Sequence, residues 1–221
     1  MIDAILVTGL PASGRSTLLL QLLKDPDLAD ARCAAGRPGA GGKKWRFGRC
    51  LCCSPEGDLS RLLNDLCSRQ DELKLTHLLI ETTGVADPAP FIKLFDNDKY
   101  RRQFTLRCVL NVVDLLHVQS ILDENKDTGD QSAGSRGRVQ LRCSDILILN
   151  HADELSESSV EATKRMLLSA TEEASAPEIL GPCSFCSLGK TLLSSIAAVG
   201  NRSERRVAPT TCEALPRPSM F

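Results

Sequence analysis

Short apolar runs alternate along this chain with stretches whose leucines return at helical spacing. Ile2–Thr8 is the first run, and it stops at Gly9, as a strand buried in a parallel sheet would. Leu18, Leu19, Leu22 and Leu23 then share one face, which predicts a helix from Ser16 to Leu23. Leu59, Leu62, Leu63 and Leu66 do the same and predict an amphipathic helix. Thr76–Glu81, Arg107–Val113 (followed by Asp114) and Asp145–Leu149 (followed by Asn150) read as further buried strands. Glu157–Glu173 and Leu188–Val199 read as helices. This alternation predicts an α/β fold, a mostly parallel sheet with helices on both faces. Ligands of such sheets bind beyond the carboxyl ends of the strands. Loops beginning near Gly9, Glu81 and Asn150 are therefore expected to meet at one site.

Two stretches interrupt the pattern. Within residues 25–48, Gly36, Pro38, Gly39, Gly41 and Gly42 crowd beside Lys43 and Lys44, which predicts an irregular connector rather than a strand. Residues 124–138 are polar, with Gly and Ser throughout, and predict a flexible loop. The tail 201–221, with Pro209, Pro216 and Pro218, is expected to be disordered, which leaves one domain over 1–200. A chain of 221 residues suits a single α/β domain.

Composition narrows the functions. With 27 basic and 28 acidic residues, the net charge of −1 gives no electrostatic case for nucleic acid. No apolar run approaches the ~18 residues of a membrane helix. The N-terminus shows no basic segment followed by a cleavable apolar one. The ten cysteines are accordingly read as reduced thiols, in the cytoplasm or in an organelle lumen kept reducing. Cys67 and Cys108 read as small buried apolar residues. Ligand-like spacing is confined to Cys50-Leu51-Cys52-Cys53 and, more weakly, Cys183-Ser184-Phe185-Cys186.

Gly9-Leu10-Pro11-Ala12-Ser13-Gly14-Arg15-Ser16 stands between the first strand and the first helix, the setting of a phosphate loop. Its backbone N–H groups, those of Ser13 and Gly14 among them, would cradle phosphates. Ser16 would offer a hydroxyl to Mg²⁺, with Thr17 behind it. Arg15 stands where the motif has lysine. It keeps the charge but presents a bulkier planar fork. An ordinary glycine-bearing turn is the alternative.

Glu81-Thr82-Thr83-Gly84 closes a predicted strand. There a carboxylate could hold the Mg²⁺ hydration shell, and the Gly84 N–H could reach a γ-phosphate. Glu81 could equally cap the next element. Asn150-His151-Ala152-Asp153 occupies the place of a guanine-reading loop. Asp153 would accept hydrogen bonds from guanine N1–H and the 2-amino group, and Asn150 would brace the loop. His151 stands in the place of a lysine and could stack on the base. Cys50, Cys52 and Cys53 offer soft thiolates suited to Zn²⁺, with further ligands required. A buried, unliganded cysteine-rich strand is the alternative. His77 and His117 read as structural.

Taken together, these segments resemble the CobW-like family of P-loop GTPases, relatives of the urease and hydrogenase accessory GTPases. The resemblance runs over roughly residues 2–200. It takes in Gly9–Thr17, Cys50–Cys53, Glu81–Gly84 with Asp87-Pro88-Ala89-Pro90, Val113-Asp114, and Ser144-Asp145 leading to Asn150–Asp153. It implies a P-loop NTPase fold and a GTP-dependent metallochaperone that delivers Zn²⁺ to a client metalloprotein, with a homodimer left open. It further implies Arg15, Glu81 and Gly84 as catalytic residues. Gly9, Ser13, Gly14, Arg15, Ser16, Thr17, Asn150 and Asp153 would bind GTP, Ser16 and Glu81 Mg²⁺, and the three clustered cysteines zinc. Arg15 and His151 depart from the family pattern. So does the stretch from Leu23 to Gly48, which lacks glutamate where the family's second strand carries acidic switch residues. The chain also stops at Phe221, where family members often continue into a C-terminal domain. These departures imply either a diverged, slow GTPase or a sequence shortened and partly garbled relative to its relatives. A non-hydrolysing pseudo-GTPase that docks a partner competes with this reading, and an ATP-dependent nucleotide kinase stands behind both.

Overall fold

The computed structural model describes residues 1–28, 31–35, 44–46, 55–118, 133–171, 177–180 and 188–199. Its strands are β1 (Ile2–Thr8), β2 (Ala31–Ala35), β3 (Lys44–Arg46), β4 (His77–Glu81), β5 (Phe104–Asp114), β6 (Ile146–Asn150) and β7 (Glu178–Leu180). They form one seven-stranded sheet in the order β3-β2-β4-β1-β5-β6-β7. Every pairing is parallel. The helices are α1 (Arg15–Leu22), α2 (Pro55–Ser68), α3 (Gln70–Leu73), α4 (Ala89–Phe95), α5 (Ala133–Arg142), α6 (Glu157–Ser169) and α7 (Leu188–Val199). None of the helices among the described residues is long and apolar enough to cross a membrane.

β1 shows why the fold is layered. Its side chains alternate between two cores, as a strand's period of two requires. Ile2, Ala4 and Leu6 pack with Leu59, Leu63 and Leu66 of α2 and with Phe91 and Phe95 of α4. Ile5 and Val7 face the other way, onto Leu18, Leu19 and Leu22 of α1 and Leu192 and Ile196 of α7. A third cluster joins Leu147 and Leu149 of β6 to Leu141 of α5 and to Val160 and Leu167 of α6. With both faces covered, central strands read as continuous apolar runs, which is why β1, β4, β5 and β6 were visible in the sequence. Ser156 caps α6 by accepting a hydrogen bond from the Ser159 N–H, and this fixes the start of that helix at Glu157.

Two expectations are corrected. The stretch 25–48 is not wholly irregular: β2 lies inside it and pairs with β4 from Ala31↔His77 to Ala35↔Glu81. The strand that seemed to be missing between β1 and β4 is therefore present. Ala-Arg-Cys-Ala-Ala carries little intrinsic β preference, so pairing with the buried β4 defines it rather than side-chain pattern. Likewise α5 occupies the end of the expected loop 124–138. Gly134, Ser135 and Gly137 have low helix propensity and hid it. His117 lies in the turn after β5. Residues 119–132 and the tail 201–221 lie outside the described residues.

Hydrogen exchange tests the corrected strand. The amides of β2 that bond to β4 should exchange at least about a hundredfold more slowly than the same amides in an unfolded chain. Exchange at the unfolded rate would remove β2 from the sheet.

Candidate functional site

β1, β4, β5 and β6 run side by side and parallel, so their carboxyl ends share one edge of the sheet. The phosphate-loop segment leaves β1 through Gly9 at φ 140 and enters α1 through Gly14 at φ 99. Gly9 is required. A Cβ there would sit 2.5 Å from the Val112 carbonyl oxygen and 2.8 Å from Ser13 Oγ. Ala12 also has a left-handed φ of 65, a conformation that costs a non-glycine residue roughly 1–2 kcal/mol. The loop curls over a polar interior. Ser13 is buried, and neither Ser13 Oγ nor Thr8 Oγ1 finds a hydrogen-bond partner among the described residues.

The end of β4 is locked to this loop. Thr82 donates its N–H to the Val7 carbonyl at 3.0 Å. Ser16 Oγ donates to Glu81 Oε1 at 2.6 Å, and Arg15 Nη1 donates to the Thr82 carbonyl at 2.7 Å. Ser16 and Thr17 stand exposed on the first turn of α1. Gly84 abuts the loop so closely that a Cβ on it would lie 2.5 Å from the Pro11 nitrogen. Downstream, Asp87 Oδ1 accepts the Ala89 N–H at 2.8 Å at the start of α4. Burial pushes the Asp87 carboxyl upward, against the pull of that N–H and of Lys93.

The loop after β6 joins from the other side. Asn150 Nδ2 donates to the Ser13 carbonyl at 3.0 Å. His151 adopts a left-handed φ of 59, and its Nδ1 meets Asp114 Oδ1 at 3.0 Å. Asp153 is exposed on the short 3₁₀ turn Ala152–Glu154. Beside Pro11 a cavity of about 220 Å³ opens, lined by Leu10, Asn111, Asp114, His117 and Gln140 among others. Cys50, Cys52, Cys53, Cys183 and Cys186 lie outside the described residues. Among the described residues no group of three or more His, Cys, Asp or Glu could hold a metal ion.

The model of the CobW/HypB/UreG nucleotide-binding domain matches residues 48–177, more than half of the chain. The chain belongs to this family. Relatives of this CobW/HypB/UreG member include the zinc chaperone YeiR of Escherichia coli K12. It is 31% identical over 173 residues, which make up 72% of this chain and 49% of that protein. Zinc-regulated GTPase metalloprotein activator 1 of Saccharomyces cerevisiae is 29% identical over 126 residues, 53% of this chain and 29% of that protein. In the first curated relatives the chain spans only 27–50% of their length. Among solved structures, the Zn(II)-bound YjiA GTPase of E. coli superposes with a TM-score of 0.55 at 20% identity, over 81% of this chain and 57% of that one. HypB from Helicobacter pylori in complex with nickel gives a TM-score of 0.55 at 13% identity, over 90% of this chain and 89% of that one. Those superpositions show a shared α/β fold.

Sequence reasoning about this CobW/HypB/UreG chain missed two residues of the site. One is Gln140, whose only signal was an amide between Val139 and Leu141. The other role belongs to Asp114, noted only as part of a motif. Its Oδ2 accepts from His117 Nδ1 at 2.7 Å, its Oδ1 from His151, and its Oδ1 also from the Leu116 N–H at 3.0 Å. Burial acts to raise this carboxyl. The hydrogen bonds from His117, His151 and Leu116, with the charge of His151, outweigh it and hold the group below its usual range.

A depressed carboxyl stabilises the fold above the unfolded pKa of about 3.9, and that contribution is lost as the pH falls through the folded value. Asp114→Asn should therefore lower unfolding stability by roughly 1–2 kcal/mol at pH 7. The gap to the parent should shrink below the ordinary aspartate range. Urea midpoints from pH 7 down to 3 measure it, and a gap that ignores pH would show that charge is not its source.

Proposed function

We propose that this chain is the nucleotide-binding part of a GTP-dependent metallochaperone that hydrolyses GTP slowly and passes zinc to a client metalloprotein. The observation that carries the reading is the direct join between the phosphate loop and the Glu81–Gly84 segment. Ser16 Oγ and Glu81 Oε1 are 2.6 Å apart, and no side chain fits between Gly84 and Pro11. A hydroxyl and a carboxylate oxygen so close together are hard donors of the kind Mg²⁺ takes. When bound, that ion would neutralise charge developing on the phosphates.

The chain's own residues carry the rest. Backbone N–H groups from Gly14 to Ser16 are the donors for the phosphates, the Ser13 N–H being held by the Leu10 carbonyl at 3.2 Å, and Arg15 adds a positive charge. The Gly84 N–H is the donor for the γ-phosphate. Asp153 accepts from the guanine N1–H and 2-amino groups, and Asn150 holds that loop on Ser13. Water attacks in line, positioned rather than deprotonated by a side chain. Zinc is cargo on the thiolates of Cys50, Cys52 and Cys53, which the chain inserts between its two phosphate-reading segments. A reducing compartment such as the cytoplasm suits such thiols.

A second reading is favoured by Arg15. Its Nη1 lies 2.7 Å from the Thr82 carbonyl, so the fork is braced against β4 and not held as a compact charge between phosphates. On that reading the chain binds nucleotide and signals without turning it over.

Fluorescent-nucleotide titrations separate guanine from adenine recognition. Asp153→Ala should weaken GTP binding by about 10- to 100-fold, the worth of hydrogen bonds to a charged group, and leave the weaker ATP binding unchanged. Equal affinity of the parent for GTP and ATP would overturn the guanine assignment. In the same assay Zn²⁺ should shift GTP affinity of the parent, and serine at positions 50, 52 and 53 should abolish that shift. A shift that survives the triple substitution would move zinc elsewhere.

A further inference from the structure

Gln140 sits on α5, 1% exposed, and its amide reaches across to the segment after β4. Nε2 donates to the Gly84 carbonyl at 3.2 Å and to the Ala86 carbonyl at 3.1 Å. An amide nitrogen has two N–H groups, so these bonds use both. Its Oε1 is buried and has no partner among the described residues. Retaining a buried acceptor in that condition is unfavourable, and an apolar residue would fill the position without it. The donors are what the position supplies.

The support behind Gln140 is rigid. The Gln140 carbonyl accepts Ser144 Oγ at 2.6 Å. The next residue, Asp145, donates its N–H to the Val109 carbonyl at 2.9 Å and accepts the Val109 N–H on Oδ2 at 2.8 Å. The C-terminal end of α5 is thus pinned to the middle of β5. On its other side Gln140 borders the cavity that also reaches Pro11. The side chain is buried, and its two hydrogen bonds hold the segment. Gly84 in turn meets Pro11 with no room for a Cβ. The chain of contacts runs from β5 through α5 and Gln140 to Gly84 and the phosphate loop.

The geometry points to Gln140 as the positioning residue that holds Gly84 at the height where it distinguishes a triphosphate from a diphosphate. This inference rests on the GTP-binding reading above and adds how the γ-phosphate is sensed. Gln140 touches neither phosphate nor metal in this role. It fixes the peptides that follow Gly84 and Ala86, and thereby the path of the loop. Without it the loop has the same residues but a wider range of positions. Triphosphate affinity should then suffer, while diphosphate affinity, which needs no Gly84 contact, should not.

Gln140→Met keeps the length and removes both donors. Gln140→Glu keeps the shape and sets a carboxylate against the two carbonyls. The experiment measures dissociation constants for fluorescent GTP and GDP on the full chain with Mg²⁺, together with hydrogen exchange at Val85 and Ala86 in nucleotide-free protein. In both variants the preference for GTP over GDP should fall about fivefold or more, through GTP alone. The Val85 and Ala86 amides should exchange faster. A parent-like GTP/GDP ratio in folded variants would overturn the inference and leave the GTP reading standing. Equal loss for both nucleotides would reduce Gln140 to a general structural role. A parent that binds no guanine nucleotide would overturn both. If Gln140→Met does not fold, Gln140→Glu and the exchange rates decide.

Discussion

Gly84 and Pro11 meet with less space between them than a methyl group needs, and the arrangement of the site follows from that contact. It is made possible by the parallel pairing of β1 with β4, which brings Val7 level with Glu81 and sets the two following turns side by side. The close approach then leaves only backbone between the loop that would grip phosphate and the segment that would feel its terminal group. Displacement of one by a few tenths of an ångström must be felt by the other, because packed contacts resist compression. Ser16 with Glu81 and Arg15 with Thr82 repeat the join through side chains at 2.6 and 2.7 Å.

The other flank is organised by polar bonds instead of by tight packing. Asn150 ties the loop after β6 to Ser13, and His151 ties it to Asp114 at the end of β5. A left-handed φ at His151 is a strained choice for a residue with a Cβ, and the hydrogen bond to Asp114 offsets part of that strain. This arrangement draws the imidazole toward β5. The lysine that the family pattern leads one to expect would have no acceptor requirement and no ring to orient. Histidine at this position therefore braces the loop against β5, and stacking on a base would have to coexist with that bond.

The layered fold was legible because β1, β4, β5 and β6 are buried on both faces and so are mostly apolar along their length. The helices with leucine stripes were legible for the same reason. β2 was not, because alanines paired with a strand already in place need no pattern of their own. α5 was hidden by its glycines, although its last turns carry Leu141 into the core. The convergence of three loops could be argued from strand ends. The contacts themselves could not, since Ser16 and Glu81 are 65 positions apart and Asn150 and Ser13 are 137 apart. Gln140 illustrates the limit most clearly. A single amide in a helix is ordinary in sequence, and only the facing carbonyls of Gly84 and Ala86 give it meaning.

Arg15 brings these threads to one question of charge and shape. A lysine in a phosphate loop is a compact cation on a flexible stem, free to follow the phosphate it neutralises. A guanidinium has fixed directions for its N–H groups. With one of them on the Thr82 carbonyl, Arg15 ties the loop to β4 at the very strand end that leads to Gly84. The substitution thus exchanges the freedom of a lysine for a mechanical link between the loop after β1 and the segment after β4. Rate enhancement in phosphoryl transfer comes from positioning and charge. A site that favours linkage over charge placement is better suited to reporting which nucleotide is bound than to turning it over quickly. On the reading proposed above, slow turnover with a firm mechanical readout would serve a carrier, since the bound state must outlast the search for a recipient.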